Sequence, residues 1–275
     1  MKTPFPAGTV LFVFLWLVSF ALIGVLGTLI VGENSALQLV IGQVSMFLVP
    51  ALLYAFYAYN DFWDDLGLKN AGKISHHSWF IFLYLLSIPL VIFLHYDIRE
   101  IFTFPQSWIE ADARRDAEMN ALVWGFLSDG TLTNLILALL VMAALPAVCE
   151  EVFFRGVVLT NIAKRTGNIH LAVWLSAIFF SAVHIQIFGF LPIIISGVIL
   201  GYSFVLTKSL WVPIIIHFLN NGIITFIYFS YLRGWTSYDP STNNPSVSIW
   251  LVITCVVVGV LVFVNLKNAS HSNSG

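Results

Sequence analysis

Charged residues are scarce in this chain. Lys, Arg, Asp and Glu make up only 9% of its 275 residues, whereas 59% are hydrophobic and the mean hydropathy is +0.91. A soluble domain has roughly 25% charged and 45–50% apolar residues. So much apolar surface does not fit inside one soluble core, and it must face lipid. The net charge of −2 and the lack of basic runs also argue against a nucleic-acid partner.

Cysteine is nearly absent as well. Cys149 and Cys255 both lie in apolar stretches, where a free thiol behaves as a small hydrophobic side chain. Two cysteines without C-x-x-C spacing predict neither a disulfide framework nor a cysteine-based metal site.

Long apolar runs are what the sequence has in abundance. A membrane-spanning helix needs about 20 predominantly apolar residues, and eight stretches qualify or nearly qualify. They lie near residues 10–31, 36–58, 79–95, 132–154, 170–187, 189–207, 210–231 and 247–266. We therefore expect an all-α protein, a polytopic membrane helix bundle with about eight transmembrane helices. Residues 1–275 are expected to form a single integral-membrane domain, with a disordered tail over 268–275.

The loops predict an orientation and one further element. With eight spans and a cytoplasmic N-terminus, eight of the twelve Lys and Arg residues lie on the cytoplasmic side, so both termini are expected in the cytoplasm. The long loop 96–130 has an amphipathic pattern over 108–127, which predicts an interfacial helix anchored by tryptophans. Surface packing and a role as a lid are both compatible with this pattern.

Several polar side chains interrupt the apolar runs. An ionisable residue costs roughly 2.5–3.5 kcal/mol inside a membrane helix and is a functional candidate by default. Three clusters contain such side chains: Glu150, Glu151 and Arg155; Phe180 and His184; His217, Asn220 and Asn221. A Glu–Arg pair can also be a structural lock, and a single His can be a hydrogen bond between helices. Three clusters with complementary chemistry favour a site.

Helix geometry separates the two glutamates. Glu151 and Arg155 are four residues apart, share a face and can pair. Glu150 lies about 100° around the helix, is left without that partner, and is the better candidate for a base. Reflecting the chain about a turn at Gly167 places residue 150 opposite His184. We therefore expect Glu150 and His184 at one depth.

These residue types suit hydrolysis. Glu150 and His184 could activate a water, and Asn221 could stabilise the oxyanion that forms when water attacks a carbonyl. Glu150, His184 and His217 could instead bind Zn²⁺ or another divalent metal, since two His and one carboxylate leave an open position. His217 lies about 14 Å beyond Lys208 along a helix. Only a tilt of that helix or a deeper turn before it would bring His217 to the depth of Glu150 and His184.

At these positions the sequence resembles the CPBP intramembrane protease family, which includes the type II CAAX prenyl endopeptidases. The family pattern is E-E-x-x-x-R, then F-x-x-x-H, then H-x-x-x-N or D. It is matched in order by Glu150, Glu151 and Arg155, by Phe180 and His184, and by His217 and Asn221. The resemblance covers the motif-bearing core, near 132–231. The lack of H-E-x-x-H argues against a zincin-type membrane protease.

The resemblance implies an eight-helix bundle that hydrolyses a peptide bond. Glu150 and His184 would activate water, Asn221 would lie in the oxyanion hole, and His217 would be a ligand or a positioning group. The supporting residues would be Glu151, Arg155 and Phe180. The expected partners are the lipid of a bacterial-type plasma membrane and a peptide or protein substrate, without nucleic acid. A non-enzymatic immunity or scaffold protein and a proton-coupled transporter are the alternatives, because buried Glu and His also build proton relays.

Overall fold

The structure is a computed structural model, and it describes Phe12, Phe14 and residues 16–19, 35–71, 74–97, 101–242 and 245–272. We number its helices from Ser35 onward. They are α1 (Ser35–Gln43, Val44–Leu48 and Val49–Ala58), α2 (Phe62–Asp65), α3 (Ile74–Ile92 and Phe93–Asp97), α4 (Gln106–Leu127), α5 (Leu132–Thr166), α6 (Ile169–His184), α7 (Phe190–Thr207), α8 (Trp211–Leu232) and α9 (Ile249–Ser272).

The all-α membrane bundle that the sequence predicts is confirmed. In the described part of the chain, five helices are long and apolar enough to cross a membrane: Ala36–Ala58, Ser78–Asp97, Leu132–Thr166, Phe190–Thr207 and Trp211–Leu232. Two shorter apolar helices there are Ile169–His184 and Ile249–Asn265. These seven correspond to the second to eighth predicted spans. The first predicted span, 10–31, lies largely outside the described residues.

The fourth span continues beyond residue 154, to Thr166, as the turn expected at Gly167 requires. A second helix departs from the prediction. At the other end of the chain, α9 continues to Ser272, so residues 268–272 are helical rather than the disordered tail that the sequence predicts. The reason is that no Gly or Pro lies between Leu266 and Ser272, and adding residues to a helix that has already formed is easier than starting one. Residues 273–275 lie outside the described part.

Prolines change the winding of α1 and α5. Pro50 and Pro146 each follow a wide π-helical segment, over Val44–Leu48 and Leu139–Ala144 respectively. A proline inside a helix lacks the N–H for the i→i−4 hydrogen bond, and its ring clashes with that carbonyl. A π-helical segment absorbs this mismatch, and such segments are frequent near functional sites.

The centre of the bundle is the second half of α5. Every residue from Glu150 to Leu159 is buried. Its aromatic side chains lie at the middle of a cluster in which the Phe153 and Phe154 ring centroids are 4.9 Å apart, and those of Phe154 and Phe180 are 5.0 Å apart. Because α5 is enclosed on all sides, any charge in this stretch depends on protein partners rather than on water.

The turn between α5 and α6 is short and well capped. Gly167 adopts the left-handed conformation (φ 65°) that ends α5, and the Asn168 side chain accepts a hydrogen bond from the Leu171 backbone N–H to begin α6. On the far side of α6, Gly197 and Gly201 of α7 allow the two helices to approach closely. Small residues at such an interface let two membrane helices pack closely.

The turn between α7 and α8 is recessed into the protein. Ser209 and Leu210 are fully buried, because the segment after α2 covers them. The Leu210 backbone N–H donates to Gly67 O (2.9 Å), and Trp211 Nε1 donates to Leu68 O (3.0 Å). The start of α8 is therefore deep in the bundle. This is the deeper turn that, like a tilt of the helix, would bring His217 to the depth of Glu150.

Candidate active site

Three helices bring one carboxylate and two imidazoles together. Oε2 of Glu150, on α5, lies 3.9 Å from His184 Nε2 at the end of α6 and 4.0 Å from His217 Nε2 on α8. Glu150 is only 4% exposed. The depth relation expected for Glu150 and His184 from the turn at Gly167 therefore agrees with the geometry, and the recessed turn before α8 brings in His217.

Glu150 has a partner that the sequence did not single out. Gln43 Nε2 on α1 donates a hydrogen bond to Glu150 Oε1 (3.0 Å). The other oxygen, Oε2, is buried without a hydrogen-bond partner among the described residues. An amide in the middle of the apolar run 36–58 is the sequence signal that could have identified Gln43. One carboxylate oxygen is thus held in place, and the other has no hydrogen bond to the described residues.

Glu151 belongs to a different network on the same helix. Its Oε1 accepts from Arg155 Nη1 and lies 2.8 Å from each of Arg155 Nη1 and His217 Nδ1. Arg155 also donates from Nη2 to Gly197 O (3.2 Å). The Glu151 and Arg155 side chains are 0% and 1% exposed. The pairing of these two residues that their spacing predicts is present, and it is closed off from the cavity.

Phe180 contacts both groups of residues, the one around Glu150 and the one around Glu151. Its ring lies 4.7 Å from the guanidinium carbon of Arg155, and its centroid is 4.7 Å from that of His184 and 5.9 Å from that of His217. An arginine over a ring face gains a cation–π attraction that is larger where water is excluded. Phe180 therefore contacts both networks through packing and brings no reactive atom.

The two imidazoles are fixed by their Nδ1 atoms. His184 Nδ1 lies 2.7 Å from Phe180 O, and His217 Nδ1 faces the Glu151 carboxylate. Both partners are acceptors, so each Nδ1 carries the proton and each Nε2 is turned toward Glu150. The His184 side chain is 26% exposed, whereas that of His217 is 8% exposed. His184 is therefore the imidazole that a substrate can reach.

A cavity of about 460 Å³ opens beside these groups. Its polar lining residues are Gln43, Arg115, Glu150, His184, Gln186, Asn221, Thr225 and Tyr228. The amide oxygen of Asn221 accepts from Asn220 Nδ2 (3.0 Å), which leaves the amide nitrogen as the donor that Asn221 can offer to a ligand. The wall on the side of α4 consists of Arg115, Met119 and Val123.

The three possible metal ligands, Glu150, His184 and His217, lie too far apart to share one directly bound ion. Within the part of the chain that the structure describes, Glu150, His184 and His217 are not a group whose ligand atoms all lie within 4.8 Å of one another. A tetrahedral Zn²⁺ ion holds its protein ligands about 2.0–2.2 Å away and hence roughly 3.5 Å from one another. The separations of 3.9 and 4.0 Å from Glu150 Oε2 are wider than that. These residues as placed do not fit a directly bound Zn²⁺.

The helix predicted over 108–127 is α4, which covers Gln106–Leu127. Its C-terminal part packs against α8 through Val123, Leu127 and Phe229. Tyr228 of α8 donates a hydrogen bond to Asn120 of α4. Since Arg115 and Met119 line the cavity, α4 forms one wall of the site and does not pack on the surface alone.

The comparisons with known proteins agree with the motif pattern. Residues 132–223 match the family model described as type II CAAX prenyl endopeptidase Rce1-like, and this region contains all three motifs, from Glu150 to Asn221. Neither the curated proteins nor the solved structures gave a match. Over residues 132–223, the chain is therefore similar to the type II CAAX prenyl endopeptidases of the Rce1-like family.

Proposed function

We propose that this protein is an intramembrane endopeptidase in which Glu150 and His184 activate a water without a metal ion. The observation that carries the proposal is the buried Glu150 Oε2, which has no hydrogen-bond partner among the described side chains and lies 3.9 Å from His184 Nε2. This separation is too long for a direct hydrogen bond. A water that bridges the two atoms would satisfy both of them.

The reaction follows from these groups. Glu150 accepts a proton from the water as its oxygen attacks the carbonyl carbon of the scissile peptide bond. The C–N bond of the resulting tetrahedral intermediate then breaks, and the same proton passes to the leaving amine. One water is consumed, and one carboxylate and one amine are formed.

Asn221 would stabilise the negative charge on the carbonyl oxygen. Its amide lines the same cavity as Glu150 and His184, and its oxygen is already engaged by Asn220. A neutral donor in a site shielded from water acts strongly on a developing oxyanion. His217 would position Glu150, because its Nδ1 is anchored to Glu151 and its Nε2 lies 4.0 Å from Glu150 Oε2.

The proposed substrate is a peptide or protein segment at the membrane. The cavity is lined by apolar as well as polar side chains, which suits a substrate that lies in or beside the bilayer. Seven basic residues lie in the predicted cytoplasmic loops, against four on the other side, when Arg155 is left out because it is buried inside the bundle. This excess supports a placement of both termini in the cytoplasm.

The test is hydrolysis by the purified protein in detergent micelles. A pool of apolar peptides is incubated in water labelled with heavy oxygen, and the products are identified by mass spectrometry. We expect new carboxyl termini that carry the label, full activity in the presence of a chelator, and no cleavage by Glu150→Ala. Loss of activity on chelation with recovery on adding Zn²⁺ would reject the metal-free route. Ion-coupled flux in proteoliposomes without any cleavage would reject the protease.

A further inference from the structure

Arg115 is a cation in the wall of the cavity. It lies on α4, and none of the other described residues that line this cavity is Lys or Arg. Its neighbour Arg114 is exposed and does not line the cavity. Neither the motif pattern nor the family match, which begins at residue 132, includes Arg115.

The hydrogen-bonding capacity of Arg115 is mostly unused. A guanidinium has five N–H donors. Nη1 donates to Ile185 O at a long 3.3 Å. Nε is buried, and it has no partner in the described part of the chain. An arginine held in this way is prepared for a planar anion, because a carboxylate accepts two parallel hydrogen bonds from one guanidinium.

The surroundings of Arg115 favour a peptide ligand. Arg115, Met119 and Val123 are spaced four residues apart on α4, so they form one stripe along the cavity wall. The stripe therefore offers one positive charge followed by two apolar side chains, opposite the helices that carry Glu150 and Asn221. A peptide with a carboxylate close to apolar residues is complementary to it.

We propose that Arg115 is a specificity residue that binds a carboxylate of the substrate beside the scissile bond. This inference rests on the proposed endopeptidase function and names a feature of its substrate. The carboxylate has two possible sources: the C-terminal carboxylate of the substrate or the side chain of an Asp or Glu. Both would make the same bidentate contact, so the experiment has to separate them.

Arg115 could act on the reaction in a second way. Ile185, whose carbonyl it contacts, directly follows His184 and has a left-handed backbone (φ 52°) that ends α6. If Arg115 only positions His184 through this contact, its loss slows the cleavage of all substrates to the same degree. If Arg115 binds a carboxylate, its loss affects only the substrates that have one at the right place.

The experiment uses three matched pools of apolar peptides with randomised sequence. The first pool has free C-termini and no acidic side chains, the second has amidated C-termini and no acidic side chains, and the third has amidated C-termini with one Asp or Glu. Wild type, Arg115→Gln and the control Arg114→Gln are assayed in micelles. Initial rates are measured for each pool, and KM and kcat are measured for the best peptide of each.

We expect the wild type to prefer one of the two pools that carry a carboxylate, and the preferred pool identifies the source. Arg115→Gln should lose about 10- to 100-fold in kcat/KM on that pool, mainly through KM, because a hydrogen bond to a charged group is lost. Its loss on the uncharged pool should be much smaller, and Arg114→Gln should match the wild type throughout. Equal losses on all pools, or a wild type indifferent to the carboxylate, would overturn this inference alone. No cleavage of any pool by the wild type would overturn the endopeptidase function itself, and this inference with it.

Discussion

The two sides of α5 carry adjacent glutamates in opposite circumstances. On one side, Glu151 is bonded to Arg155 and His217, and Arg155 reaches on to Gly197 O. On the other side, Glu150 has a single hydrogen bond from Gln43, and its second oxygen faces the two imidazoles beside a cavity. Each glutamate has one buried oxygen without a hydrogen-bond partner among the described residues. The two sides differ in that Glu151 has a counter-charge and does not line the cavity, which makes its side closed, whereas Glu150 lines the cavity, which makes its side open.

This difference shows how a membrane protein can keep a reactive carboxylate in a fixed place. Charges in a bundle need partners, because lipid offers no hydrogen bonds. The closed side combines one negative and one positive charge and holds His217 through Nδ1. It therefore supplies a rigid frame, and Glu150 can remain incompletely satisfied without loss of its position. The variants below break one side of this comparison and leave the other intact, except for one that lies far from both sides.

After the loss of Glu150 itself, the largest effect is expected for His184→Ala on the open side. A positioned group that takes part in proton transfer contributes about 10²- to 10⁴-fold, so kcat should fall by this factor while thermal unfolding is unchanged. The assay is peptide cleavage in micelles. His170→Ala is the control, since His170 lies at the start of α6 and contacts Tyr202 away from the cavity. Equal losses in the two variants would contradict a special role for His184.

Arg155→Met breaks the closed side. It leaves the Glu151 carboxylate buried without its counter-charge, which costs about 3–5 kcal/mol of stability. The midpoint of unfolding in denaturant should fall strongly. The double variant Glu151→Gln with Arg155→Met should recover part of the loss, because it buries no isolated charge. A wild-type unfolding midpoint for Arg155→Met would show that the closed network is not structural.

Asn221→Ala removes the proposed oxyanion donor. Loss of one such donor lowers kcat by about 10²- to 10³-fold. KM should change little, because the interaction forms mainly in the transition state. Steady-state kinetics would measure both parameters. A raised KM with an unchanged kcat would assign Asn221 to substrate binding instead.

Gly197→Ala tests the packing that supports the closed side. A Cβ atom at this position would lie 3.1 Å from Ala177 Cβ and 3.2 Å from Ala177 Cα, so α6 and α7 would have to separate. Overpacking of this kind costs about 1–3 kcal/mol. Gly259→Ala in α9 is the matched control, since a Cβ there meets nothing within 4 Å. Equal unfolding midpoints for the two variants would contradict the close contact.

The smallest effect is expected far from both sides, at the exposed pair of Asp61 and Lys69. The hydrogen bond from Lys69 lowers the pKa of Asp61. A carboxyl whose pKa is lower in the folded state stabilises the fold above its unfolded pKa, and this contribution is lost as the pH falls through the folded pKa. Asp61→Asn should therefore lower the unfolding temperature slightly at neutral pH and remove part of its decrease below about pH 4. Its cleavage rate should equal that of the wild type, and a slower rate would contradict the separation of this loop from the site.

Local helix geometry accounts for most of what the sequence predicted correctly. The Glu151–Arg155 pair depends only on a four-residue spacing. The common depth of Glu150 and His184 along their helices depends on one turn at Gly167. Long-range contacts could not be obtained in this way. Gln43 is 107 positions away from Glu150, and Arg115 comes from a helix outside the motifs. The recessed start of α8 depends on the segment around Gly67, whose contact with Leu210 no local pattern indicates.

The most direct test compares Glu150→Gln with Glu151→Gln in one cleavage assay, with rates normalised to the amount of folded protein. Both changes remove one negative charge from adjacent buried positions and nearly preserve the side-chain shape. We expect Glu150→Gln to fold like the wild type and to cleave nothing. Glu151→Gln should be less stable, but its folded fraction should cleave within about tenfold of the wild-type rate, as expected for a residue that acts through its neighbours. Cleavage at the wild-type rate by Glu150→Gln, or abolished cleavage in a fully stable Glu151→Gln, would contradict the division between the open and the closed side.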